Sequence, residues 1–174
     1  MAPAIRGPRN SLSQIAAAKL QNSGDNATLR CRAMTSEDAY NELCYYTLAR
    51  RDPSFIHQHV VDAFAAQNAD EQTKPIKLTF ALVGLYLHVE KQFSGMQVQQ
   101  AHMDLARQKQ LWPPFALPSD RGSLTVADVL AAPVGTSRDK AIDAWCESVW
   151  GAFRDCRPAV TALLRERGIV SDCS

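Results

Sequence analysis

No apolar run in the sequence approaches the ~20 residues that a membrane-spanning helix needs. The longest candidate, IKLTFALVGLYLHVE, is too short and carries Lys77, Thr79 and His88, so it reads as a buried core helix. An excess of one charge sign is also missing, with 19 Lys plus Arg against 18 Asp plus Glu. That balance argues against a nucleic-acid partner and against an acidic disordered tail. Cysteine is sparse and odd in number: Cys31, Cys44, Cys146, Cys156 and Cys173, with no CxxC pair. Such spacing fits reduced thiols in an intracellular protein better than a disulfide framework, and Cys44 and Cys146 read as small hydrophobes inside helices. HExxH, ferritin-like ExxH pairs, GxSxG, the P-loop and GxGxxG are all absent. The commonest zinc, di-iron, serine-hydrolase and nucleotide signatures therefore have no footing. Asn26-Ala27-Thr28 is a glycosylation sequon, expected to go unused without a signal peptide.

What is present suits one globular domain. A length of 174 residues allows a proper core, and 46% apolar content is ordinary. The first thirty residues stand apart: Arg6, Arg9 and Lys19 precede any acid, among Ser, Ala and a short amphipathic stretch from Ser11 to Gln21. Two readings fit, a flexible arm on a cytoplasmic protein or a mitochondrial transit peptide. Either way residues 1–30 are set aside, and 31–174 is expected to be a single helical domain.

Helical signals dominate from Thr35 onward, and an all-α bundle of about seven helices is predicted. Ser36, with Glu37 and Asp38 behind it, marks one N-terminus, and Ala39, Leu43 and Tyr46 mark that helix's apolar face. Asp52-Pro53 and Thr73-Lys74-Pro75 predict two more starts, with proline in the first turn. Ser94 opens a fourth helix, and Ser123 or Thr125 a short fifth. SRDKAIDAWCESVWGAFRDC forms a longer one, with Asp143, Glu147 and Arg154 on its wet side. RPAVTALLRERG ends the core, with Gly168 as its stop. LWPPFALPSDRGS, with three prolines and a glycine, is a loop. It could cap a mouth of the bundle. Trp112, Trp145, Trp150 and Phe153 read as core and lid packing, or as a pocket wall.

All four histidines, His57, His59, His88 and His102, fall between positions 57 and 102. At about 100° per residue, His57 shares a stripe with Val60, Val61 and Phe64, whereas His59 points about 160° away, with Asp62, to the polar side. His88 shares a face with Ala81, Gly84 and Leu85, whose small members leave room for a neighbouring helix or a ligand. His102 shares one with Val98, Leu105 and Ala106. Three consecutive helices thus each carry one core-facing imidazole. A buried imidazole needs partners for its nitrogens, and a shared partner serves three of them economically. Two hypotheses follow. In the first, His57, His88 and His102 ligate a divalent metal (Zn, Fe, Cu or Ni), with an open water position that suits hydrolysis or oxidation. In the second, the chain is a metal-free binding or accessory protein, with the histidines as hydrogen-bonding groups of a pocket for a small apolar molecule.

The stretch FIHQHVVDAFAAQNADEQTKPIKLTFALVGLYLHVEKQFSGMQVQQAHMDLA resembles the centre of a family of unknown function found in bacteria and fungi. The similarity continues through WPPFALP, LTVADVLAA and the Trp145–Trp150 helix and covers roughly Ala39 to Phe153; HQHVVDA, TKPI, GLYLHVE and AHM are its most specific blocks. Bacterial members often begin with a paired-cysteine segment, where this chain has Cys31 alone. The resemblance implies domain boundaries and no activity.

Overall fold

The computed structural model describes residues 34–107 and 111–170. The N-terminal arm, Asn26, Cys31 and Cys173 lie outside them. Among the described residues there are seven α-helices and no strand, so the chain is all-α. No helix among them is long and apolar enough to cross a membrane.

α1 (Ser36–Ala49) is capped by Thr35, one residue earlier than the sequence suggested. The Thr35 hydroxyl accepts from the Asp38 backbone N–H, and the Asp38 carboxylate accepts from the Thr35 N–H, each at 3.1 Å. This reciprocal box closes two of the donors that a helix start leaves open. Ala39, Leu43 and Thr47 are its buried face.

α2 is His57–Gln67, four residues shorter at its start than the Asp52-Pro53 signal predicts. Asp52 does cap, but it caps a turn: its carboxylate accepts from the Ser54 N–H at 3.0 Å and the Ser54 hydroxyl at 2.5 Å. Phe55 has φ +57°, a left-handed conformation that no residue inside a right-handed helix can hold, so the helix begins only after it.

α3 (Pro75–Lys91) is the central element and packs against α2, α4 (Gly95–Ala106), α6 (Thr136–Ala152) and α7 (Arg157–Glu166). Nine of its residues, from Leu78 to Leu87, are buried, as befits a helix apolar on nearly all sides. It stops at Gln92 (φ +57°), where the Phe93 N–H reaches back to the Leu87 carbonyl at 3.0 Å. α4 opens with a second capping box, Ser94 with Gln97. α5 (Val126–Ala131) is capped by Thr125, and a 3₁₀ turn (Arg154–Cys156) joins α6 to α7.

Trp145, Trp150 and Phe153 are core residues, each at most 2% exposed. The two indoles also tie elements together. Trp145 donates to the Gln67 side-chain oxygen at 3.0 Å, and Trp150 donates to Glu90 at 2.9 Å. Arg157 closes on the same Glu90 carboxylate at 2.7 and 2.9 Å, joining α3, α6 and α7 at one acid.

α2 packs against α1, α3, α4 and α6. This corrects the phase reading of that helix. His59 and Asp62, expected on a polar side, are 5% and 3% exposed. A single-stripe calculation assumes one buried face, and a helix enclosed by four neighbours has little wet side to offer.

Candidate functional site

His59 lies in the first turn of α2, and His88 lies in the last turn of α3. The two imidazoles stack, with ring centroids 3.6 Å apart and planes within 18°. Nε2 of His88 is 3.2 Å from Oδ1 of Asp143, which α6 supplies. Two rings and one carboxylate from three helices thus meet at one place. Asp143, expected on the wet side of its helix, faces His88 with its side chain half exposed.

This group lines a polar cleft of about 330 Å³, edged by Ser54, Gln92, Phe93 and Ser94. Burial first, and then the neighbouring His88 ring, push the His59 pKa down to about 3, so its ring is neutral at ordinary pH. The charges of Asp143 and Asp52 act in the opposite direction. Nδ1 of His59 is buried and has no hydrogen-bond partner. A buried nitrogen left unpaired is costly, and such an exception calls for a reason.

The other two histidines have surroundings of their own. His57 is half buried, and its Nδ1 is 2.8 Å from the Thr47 hydroxyl. The same hydroxyl lies 3.0 Å from the Leu43 carbonyl and 3.1 Å from that of Cys44. His102 meets the Phe80 ring edge-on at 5.0 Å, and Phe80 in turn meets Trp112 at 5.2 Å. Burial pushes the His102 pKa down to about 4, and its Nε2 has no partner. The structure therefore brings His88 together with His59 and Asp143, not with His57 and His102. Among the described residues, no three His, Cys, Asp or Glu side chains are grouped to hold a metal ion.

The space expected beside Gly84 is present, and Asp62 occupies it. The Asp62 carboxyl is buried, accepts from the Gln58 side-chain amide at 3.1 Å through Oδ1, and has no partner on Oδ2. Burial raises its pKa well above the ordinary carboxylate value. The proline-rich loop builds a different and larger cleft of about 690 Å³, with Phe115, Asp70 and Arg121 in its walls and no histidine.

Sequence reasoning placed His88 on a core-facing side and put His59, Asp62 and Asp143 on polar sides, whereas the structure gathers His59 and Asp143 at His88 and buries Asp62. The HQH pair was a usable signal for His59 once α2 is recognised as enclosed on four sides. Nothing near Asp143 in the sequence marks it, since its partner is 55 residues away.

The family model described as a family of unknown function (DUF5946) matches residues 26–154. No curated protein and no solved structure matches the chain. The matched span contains all four histidines, Asp62, Asp143 and every residue that lines the His59–His88 cleft. The chain belongs to the DUF5946 family.

Proposed function

We propose that this protein binds a small polar molecule in the cleft floored by His59 and His88, without a metal, using the imidazoles as hydrogen-bonding groups. One observation carries the reading. Two stacked imidazoles, one with an unpartnered buried nitrogen, line an open polar cleft. Concave sites with a few convergent polar groups and a perturbed titratable residue are where ligands bind. Asp143 gives the pair a direction. A carboxylate beside Nε2 of His88 favours the proton on that nitrogen and leaves Nδ1 as an acceptor. An imidazole so oriented can hold a ligand hydroxyl or amine, or take a proton from one.

The test is nuclear magnetic resonance of protein labelled in its histidine rings, titrated with a library of small polar fragments. Binding at the cleft shifts His59 and His88 together and leaves His102 unmoved. Fragments that never move His59 and His88 would remove the proposal. Titration with Zn, Fe, Cu or Ni in the same sample separates the metal reading, which requires His57, His88 and His102 to respond as one set.

A further inference from the structure

The chemistry of the cleft lining narrows its occupant. Asp143 is the only residue of formal charge among the lining side chains, and neither lysine nor arginine is present. The carboxylates whose charge reaches His59 are Asp143 and Asp52. The local field is therefore set by acids, with no basic counterweight in the wall.

Many of the backbone donors along the cleft edge are already engaged. At the start of α4, the Ser94 N–H donates to Gln97 Oε1, the Gln97 N–H donates to Ser94 Oγ, and the Met96 N–H donates to the Ser54 carbonyl. At the start of α2, the Gln58 and His59 N–H groups donate to the Phe55 and Ile56 carbonyls. Past the end of α3, those of Gln92 and Phe93 donate to His88 and Leu87. Acceptors, by contrast, remain. The Asp143 side chain is half exposed, with only Oδ1 engaged by His88. A neutral His59 ring offers one acceptor nitrogen. Ile56 and Phe93 add a short apolar wall.

We infer that the occupant of this cleft is a small aliphatic amine, its ammonium group held against Asp143 and the imidazole acceptors, with its hydrocarbon portion on Ile56 and Phe93. The inference rests on the reading of the cleft as a ligand site and commits that site to one charge sign. An ammonium supplies three donors and a positive charge, the complement of a wall whose one formal charge is the Asp143 carboxylate. A carboxylate or phosphate of the same size meets Asp143 as a like charge and finds no lysine or arginine in the wall.

The experiment compares three probes of matched size on the full chain: n-propylammonium, propionate and 1-propanol. Saturable shifts of the His59 and His88 ring signals are the readout. The amine is expected to bind at least about fivefold more tightly than either other probe. Asp143→Asn is expected to remove that preference and Asp143→Glu to retain part of it; both variants should keep the wild-type melting temperature, because the side chain is half exposed. Equal or tighter binding of propionate overturns the inference, as does an amine affinity unchanged in Asp143→Asn. Absence of any shift with the amine also overturns it. In the last case the fragment library decides the broader reading: other fragments that move His59 and His88 keep the cleft as a site, and none that do so removes it.

Discussion

A Cβ atom placed on Gly84 would lie 2.0 Å from Oδ2 of Asp62. The absent side chain of α3 is the space in which the buried acid of α2 rests. Gly84→Ala is therefore expected to destabilise the fold by about 1–3 kcal/mol, the range for overpacking a well-filled core. The better helix propensity of alanine, worth about 1 kcal/mol, works against that loss. Urea denaturation measures the difference. Adding Asp62→Ala to Gly84→Ala is expected to cost less than the sum of the two single changes, because each relieves the other's fault. Strict additivity would show that the two residues do not share this space.

Asp62 sets a pH dependence on the alkaline side. Its folded pKa is raised well above 3.8, so the acid stays protonated in the native state while the unfolded chain ionises. Its contribution is greatest below pH 3.8 and is lost as pH rises toward the folded pKa, at up to about 1.4 kcal/mol per pH unit. Asp62→Asn keeps a neutral side chain and is expected to abolish that slope, making the variant the more stable form at neutral pH. Melting temperatures of both proteins across pH 4 to 8 check this; parallel curves would mean that Asp62 does not titrate as a buried acid.

His59 and His102 act on the acid side with the opposite sign. Their folded pKa values are depressed to about 3 and about 4, below the ordinary 6.5. Their contributions are present above 6.5 and are lost as pH falls, until those folded values are reached. Between about pH 4 and 6.5 the two histidines outweigh the one aspartate among these three groups, so stability should rise with pH there. Above 6.5 the histidine contribution is complete, so the rise is expected to end near that pH. Ring-proton titration should find both imidazoles still neutral at pH 5.5, and a midpoint near 6.5 for either would contradict its burial.

The enclosure of His59 also fixes the cost of removing it. The ring is 5% exposed and stacked on His88. His59→Ala is expected to destabilise by about 2 kcal/mol or more, in the range of core truncations rather than surface changes. Chemical denaturation measures it. A loss under about 0.5 kcal/mol, as surface positions give, would place the ring in solvent.

Much of the fold was legible in the sequence because it is written locally. Ser94 with Gln97, Thr125 with Asp128, and Pro75 in a first turn are signals contained within three or four residues, and each stands where a helix begins. The start of α2 was not legible. Asp52-Pro53 carries the same kind of signal, but Phe55 is left-handed and its carbonyl lies against Gly95 of α4, a contact that no local pattern encodes. The candidate site was half legible for a related reason. Helical phase identifies the apolar face of His88, yet whether His59 meets water depends on how many neighbours surround α2. The pairing of His88 with Asp143 depends on the placement of α6, which lies far along the chain.

Gly95 has its own version of the Gly84 constraint. A Cβ there would stand 1.8 Å from the Phe55 carbonyl oxygen, and the Met96 N–H holds the Ser54 carbonyl at 3.0 Å. Ser54 and Ser94, on either side of this junction, both border the histidine cleft. The rim is in effect riveted, main chain to main chain, with no side chain between to act as a spring. On the proposed reading, a guest would have to match the aperture as it stands, with selection at this edge by size at the door rather than by a wall that yields. A methyl group added at Gly95 would act as a wedge, altering the fit of a molecule it never touches.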